Sequence, residues 1–232
     1  MEALQLQRKN KRAIARAERL LLPHMAIQFD APSSPQRDTV EQYIAQCFQT
    51  IYQAEVNSFL PYLLSTPTEG KFTAALGFQP ADTNNTLFLE QYLDSDIESV
   101  LSSVLKQTIP RNKIVEIGNL TSSRRGSSQL LFVIVAAILE QAAYEWVTFT
   151  ATQQVKQLLE KLALNITDIA EANPNRLADK GESWGSYYNT IPKIRTTNLV
   201  DAMVIFRQHH VIKFMLKNYQ NTINTIAKEL QQ

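Results

Sequence analysis

IVEIGNLTSSRRGSSQLLFVIVAAILEQAAYEWVTFT, residues 114–150, changes its character three times along its length. Residues 114–120 are rich in β-formers, residues 121–128 are Thr, Ser, Arg and Gly, and residues 129–146 form a long run without Gly or Pro. The segment then closes in β-branched and aromatic residues, WVTFT. The order predicts a strand, a polar loop, an apolar helix and a second strand. A Gly/Ser loop that opens onto a helix N-terminus presents free backbone N–H groups, which suit a phosphate. Arg124 and Arg125 add positive charge there, so Arg124, Arg125, Gly126, Ser127 and Ser128 form a candidate phosphate cradle. Glu116 lies on the strand beside it. The whole segment predicts a site for a phosphate-bearing carrier.

A chain of 232 residues with 44% hydrophobic and 19% charged residues is long enough for one well-filled core. The formal net charge of +1 argues against a nucleic-acid-binding polycation, and no aromatic–basic RNA motif is present. Charge is uneven, with Arg8, Lys9, Lys11, Arg12, Arg16 and Arg19 crowded together. Residues 2–22 read as a basic helical arm, either solvated or laid on an anionic membrane surface. Cys47 is the single cysteine, so no internal disulfide is expected, and its helical setting suggests a buried thiol. His24, His209 and His210 lack metal-ligand spacing, so no metal site is expected. The longest apolar run, Leu130 to Leu139, is too short to span a bilayer, and no signal-peptide pattern is seen. A cytoplasmic location is expected, with peripheral membrane contact through residues 8–19.

Residues 25–30 alternate as a strand. Ser34 is placed to cap a helix from about Pro35, whose Val40, Tyr43, Ile44, Cys47, Phe48, Ile51 and Tyr52 share a face. Strand-like runs follow at Phe59 to Ser65, Phe72 to Phe78 and Thr86 to Leu89, the first two joined by the turn sequence TPTEG. A helix is expected over Asp94 to Gln107 and another over 152–163. Residues 165–195 are polar and turn-rich and hold Trp184, Tyr187 and Tyr188. From about Asn198 a long helical pattern runs to the end, with a break near His209-His210. The order predicts a mixed α/β fold with helices covering a central sheet. The chain divides into an arm (1–23), a main domain (24–196) and a helical extension (197–232).

Glu116 and Gly118 fall on one face of their strand, opposite Val115 and Ile117. A carboxylate on a central strand is costly to bury unless it is paired. Glu116 is therefore a candidate general base or amine anchor, or else part of a structural ion pair with Arg111 or Arg176. Glu90 is either a second carboxylate in the cleft or a surface residue. Tyr187 and Tyr188 are candidates for a general acid or for an aromatic wall. The G-x-S-x-G, GxGxxG and P-loop patterns are absent.

Five blocks carry a resemblance: LFLEQYLDSDIE at 87–98, IVEIGNLTSS at 114–123, WVTFTAT at 146–152, NPNRLAD at 173–179 and WGSYYNTIP at 184–192. Together they resemble the bacterial thermostable hemolysin family, which is similar to the GNAT acyltransferases and most of all to acyl-homoserine-lactone synthases. Where the family often has Gly-Phe-Arg, this chain has Gly77-Phe78-Gln79. The resemblance implies a GNAT-like, mostly antiparallel sheet flanked by helices, with extra N- and C-terminal helices. It implies that Glu116, Ile117, Gly118, Asn119 and Leu120, the loop from Ser122 to Ser128, and Thr150 hold the pantetheine and phosphate of an acyl carrier. Acyl-CoA or acyl-ACP (acyl carrier protein) would then be a co-substrate, with no tightly bound cofactor and a small amine as acceptor. Glu116 would take the amine proton, amides near Leu120 would polarise the thioester, and Tyr187 or Tyr188 would protonate the thiolate. The alternatives are a membrane-active hemolysin, acting directly or through a lipid-like product, and a non-catalytic acyl-carrier-binding protein.

Overall fold

The computed structural model describes residues 25–83, 85–124 and 126–231. The basic arm and Arg125 lie outside the described residues. Seven strands form one sheet: β1 (Gln28–Asp30), β2 (Tyr62–Thr68), β3 (Lys71–Pro80), β4 (Ile114–Ser122), β5 (Trp146–Ala151), β6 (Thr167–Glu171) and β7 (Lys193–Asn198). Their spatial order is β1-β2-β3-β4-β5-β7-β6. Every neighbouring pair is antiparallel except β4 and β5.

The β2–β3 hairpin turns on Glu69 and Gly70, both at positive φ (49° and 76°), as a two-residue turn between twisted strands requires. The β4–β5 pair is parallel because a helix, α3 (Ser127–Gln141), crosses between them. Leu130 to Leu139 are all buried in α3, which packs between the sheet and the C-terminal helices. Each such large apolar side chain contributes roughly 1.5–3 kcal/mol of transfer free energy. Ala143, at φ 70°, ends the crossover and turns the chain into β5. The helix is thus shorter than the run from 129 to 146 suggested.

On that face of the sheet lie α3, α4 (Gln153–Glu160), and the tail helices α5 (Leu199–Gln208), α6 (His210–Asn218) and α7 (Gln220–Glu229). The tail breaks at His209, as its pattern suggested, and again at Tyr219. Leu199, Phe206, Ile223 and Ile226 belong to the same core as Leu76, Phe78, Val115 and Phe149. The Tyr219 hydroxyl ties this layer to the start of the described chain, accepting from the Met25 amide (3.0 Å) and donating to its carbonyl (2.8 Å).

The opposite face carries α1 (Arg37–Tyr52) and α2 (Ile97–Leu105). Val40, Ile44 and Phe48 of α1 are buried against Leu63 and Ala75. Cys47 is half-buried rather than buried. Ser34 accepts from the Ala31 amide and closes the turn before α1; Gln36 occupies the cap position, with no side-chain bond.

Three expectations are corrected. Residues 88–92 form a 3-10 helix, so the run at 86–89 is not a strand. β2 begins at Tyr62, leaving 53–60 as an irregular crossing segment. The stretch 165–195 contains β6 and β7, held by cross-strand charge: Arg195, 2% exposed, donates to Asp168 (2.9 Å) and to the Ala151 carbonyl.

Candidate functional site

β4 carries the site. Its register with β5 runs from Ile114↔Trp146 to Ile117↔Phe149 and stops there, although β4 continues to Ser122 and β5 to Ala151. On its other side β4 bulges: Gly118 pairs with Gly77 and Thr121 with Ala75, so Asn119 and Leu120 together face one residue of β3. Asn119 adopts φ 52°, and its Oδ1 accepts from the Leu60 amide (2.9 Å). The bulge and the parting of β4 from β5 occur at the same level, and a cavity of about 600 Å³ opens there.

The two glycines make room for this arrangement. A Cβ on Gly77 would meet Asn119 Oδ1 at 2.8 Å, and one on Gly118 would meet Leu60 Cδ1 at 3.0 Å. Leu60 therefore seats on the Gly77–Gly118 pair and brings the 58–60 segment over the cavity.

Glu116 is 3% exposed and faces this cavity. Its cross-strand neighbours are Gln79 on β3 and Thr148 on β5. Oε1 accepts from the Leu89 amide (3.2 Å), and Oε2 has no hydrogen-bond partner. Burial pushes the carboxyl up to about 8; the amides of Phe88 and Leu89 pull it back, and Glu90 pushes it further up. Thr148 Oγ1 and Thr150 Oγ1 are buried without partners as well. Of these, Glu116 and Thr150 line the cavity, and a buried oxygen without a partner is costly in a folded core unless a ligand meets it.

The ion pair suggested for Glu116 is not formed. Arg111 binds both oxygens of Glu90 (2.6 and 2.9 Å) and Glu98 (2.7 Å), and Arg176 binds Asp94 (2.6 Å). Glu90 is corrected from a cleft carboxylate to a clamp that does not line the cavity. Its oxygens also accept from the Leu87 and Ile97 amides (both 2.9 Å), tying the 3-10 helix to the start of α2. Burial raises its pKa, but Arg111 and these amides outweigh burial and hold it below the usual carboxylate range.

Tyr187 lines the cavity and Tyr188 does not. The Tyr188 hydroxyl meets that of Tyr92 at 2.5 Å. Burial pushes Tyr187 well above its ordinary value, and Tyr188 up to about 12. Trp184 and Tyr187 reach the cavity because loop 181–190 docks on the end of α1. The Ser186 amide donates to the Tyr52 carbonyl (2.8 Å), and Gly185 lies so close that a Cβ there would sit 2.2 Å from that oxygen.

The phosphate cradle is partly structural. Ser122 donates to the carbonyls of Arg124 and Thr73, Ser123 approaches the Thr73 carbonyl, and Ser127 meets Thr73 Oγ1. Ser122 and Ser128 are the serines of this loop that line the cavity. Gly126 takes φ 90° as the residue before α3, so α3 begins with its first amides directed out of the helix. Arg124 is exposed at the turn. Ile117, Gly118, Asn119, Leu120 and Thr150 line the cavity.

Phe48 and Tyr52, expected on the packed face of their helix, also line the cavity, as do Gln79 and Tyr92, neither of which had been a site candidate. The LEQY spacing at 89–92 put Tyr92 within one turn of Glu90, a signal masked by reading the run as a strand. The cavity's other arm is apolar, with Phe132, Phe149, Val155, Leu158 and Leu159 between α3, β5 and α4. Among the described residues, no His/Cys/Asp/Glu group could hold a metal ion, and no helix is long and apolar enough to cross a membrane.

The fold is GNAT-like, and the chain is similar to solved acyl-transferring synthases. One is BjaI, a CoA-dependent acyl-homoserine lactone synthase solved with SAM and isopentyl-CoA: 13% identity, TM-score 0.53, covering 84% of this chain and 89% of that one. FeeM, an N-acyl amino acid synthase from uncultured soil microbes, shares 9% identity at TM-score 0.51, covering 76% and 97%. The AHL synthase LasI shares 14% at TM-score 0.50, covering 76% and 90%. Comparison with curated proteins finds no match. Residues 31–203, which include β2 to β7 and every cavity-lining residue named above, match the thermostable hemolysin family, and the chain belongs to that family.

Proposed function

We propose that the chain is an N-acyltransferase that moves an acyl chain from a pantetheine thioester, acyl-CoA or acyl-ACP, to an amine. The observation that carries this reading is Glu116. It is a buried carboxylate with one unpartnered oxygen, at the level where β4 and β5 part over a cavity of about 600 Å³. The GNAT-like fold supports it.

On this reading the pantetheine lies along 117–120 of β4, where the parting leaves backbone groups facing β5. The phosphate meets the first amides of α3, with Ser128 and Arg124 alongside. The acyl tail fills the arm between Phe132, Phe149 and Leu158. An amine enters as its ammonium, and Glu116 takes one proton. With the carboxyl at about 8 and a free amine near ~10.4, that transfer costs about 3 kcal/mol, against about 8 kcal/mol for an ordinary carboxylate near ~4.3. The neutral nitrogen attacks the thioester carbonyl carbon. Amides near Leu120 stabilise the developing oxyanion. The C–S bond breaks, and the leaving thiolate takes the proton that the new amide nitrogen gives up. Tyr187, its phenol raised far above a thiol, serves as wall rather than acid.

The experiment is mass spectrometry of lipids and amines from cells expressing the chain. An acylated amine that vanishes with Glu116→Ala is expected; its persistence removes Glu116 from the reaction. Lysis implied by the family name then belongs to the amphiphilic product, so pure protein without acyl donor should leave liposomes intact.

A further inference from the structure

The cavity wall facing the sheet is aromatic. Phe48 and Tyr52 come from the end of α1, Phe88 and Tyr92 from the 3-10 helix, and Trp184 and Tyr187 from the docked loop. The rings form a connected box. Centroids lie 6.0 Å apart for Phe48–Trp184, 5.4 Å for Trp184–Tyr187, 5.2 Å for Tyr52–Tyr187, 5.7 Å for Phe88–Trp184 and 5.9 Å for Phe88–Tyr92. Ring faces carry negative potential and attract cations.

Glu116 adds the full charge. It is the single charged side chain among the described residues that line the cavity. Its neighbours on the sheet face, Gln79 and Thr148, are neutral, and the Gln79 amide nitrogen donates to Thr83 and the Asn85 carbonyl. Two guanidinium groups in the surrounding elements are committed elsewhere: Arg111 to Glu90 and Glu98, and Arg37 to Glu41 and the carbonyls of Leu60 and Pro61.

We infer that the acyl acceptor is an organic ammonium without a carboxylate, a primary amine with an aromatic or alkyl body, held by Glu116 and the aromatic box. The inference rests on the acyltransferase reading and narrows its acceptor. An ammonium neutralises Glu116 inside the cavity and lies against electron-rich ring faces. An α-carboxylate on the same molecule would be desolvated among those rings and set beside a like charge, so an amine binds better than its parent amino acid. The amine nitrogen, once deprotonated by Glu116, forms the N–C bond of the amide as the C–S bond breaks.

The test is calorimetric binding of matched probes to the full chain near pH 8.5: phenethylamine against phenylalanine, and tyramine against tyrosine. Fluorescence of Trp184 in a Trp146→Phe background gives a second readout. Each amine should bind at least tenfold more tightly than its amino acid. Glu116→Gln should weaken amine binding at least tenfold, and so should Gln79→Arg, which sets a built-in cation beside the carboxylate. Equal or tighter binding of the amino acids overturns the inference and leaves acyl transfer standing. Amine binding indifferent to both substitutions also overturns it. Amines bound as expected, with no thioester consumed for any of them, would instead sink the acyltransferase reading while the ammonium site stands.

Discussion

Glu116 and Thr148 stand opposite one another on β4 and β5, on the same sheet face, and each carries a buried oxygen without a hydrogen-bond partner. One residue further along, at Ile117↔Phe149, the two strands stop pairing. Glu116 thus lies at the mouth of the parting and faces the cavity shared with the aromatic box, with Thr148 buried beside it on the sheet. Parting strands, a bulge and unpartnered polar atoms are each destabilising, and their coincidence at one level marks the site.

Removing the Glu116 charge should stabilise the protein at high pH. The folded carboxyl sits near 8, above its unfolded value, so the folded state holds the proton more tightly. Stability is therefore lost as pH rises from about 4.5 to about 8, at up to about 1.4 kcal/mol per unit. Glu116→Gln should abolish this slope, and its melting temperature should exceed that of the parent by several degrees at pH 9 while matching it near pH 5. Thermal melts across that range check the prediction.

Activity should run the other way. Only ionised Glu116 accepts the proton, so kcat/KM for amine acylation should climb up to about pH 8 and then level. In Glu116→Gln the residual rate should lack that inflection and follow the ionisation of the free amine.

Glu90 should matter for folding more than for chemistry. Its side chain is 5% exposed, and Arg111 spans both of its oxygens. Arg111→Met leaves a buried carboxylate unpaired, and a loss of about 3 kcal/mol is expected. The carboxyl is held low in the fold, so this pair's contribution is present above about pH 4.5 and fades as pH falls below it. Chemical denaturation at pH 7 and pH 3.5 should show the difference between parent and Arg111→Met shrinking in acid.

Gly185→Ala tests how the aromatic box is built. A Cβ at φ 52° would sit 2.2 Å from the Tyr52 carbonyl, an unyielding backbone atom. The substitution should release loop 183–188 from α1, cost about 2 kcal/mol or more, and raise KM for the amine while barely moving that for the acyl donor. Steady-state kinetics in both substrates would show it.

The segment from Ile114 to Thr150 was legible because each part has its own composition: β-branched and aromatic residues in β4 and β5, and an apolar run too long for a strand in α3. LFLE at 87–90 was misread because its buried residues also fit a strand. What makes it a 3-10 helix is Glu90, fixed by Arg111 from 21 residues away and by the Ile97 amide. β7 was missed because KIRTTN looks polar; Arg195 is buried only because Asp168 and the Ala151 carbonyl meet it from two neighbouring strands. Glu116 was legible as a costly carboxylate, but not its lack of an ion pair, since that depends on which acids claim Arg111 and Arg176. The box stayed hidden for the same reason. Phe48, Tyr92 and Trp184 lie far apart in sequence and converge only when Gly185 lets the loop reach α1.

The most direct test of the central claim is product formation by the purified full chain with acyl-CoA or acyl-ACP and a panel of primary amines, read by the mass of the amide. The account predicts an amide with the parent protein and a fall of about 10²-fold or more in Glu116→Gln, with its circular dichroism unchanged. No amide from any donor–amine pair, or an undiminished rate in Glu116→Gln, would contradict it.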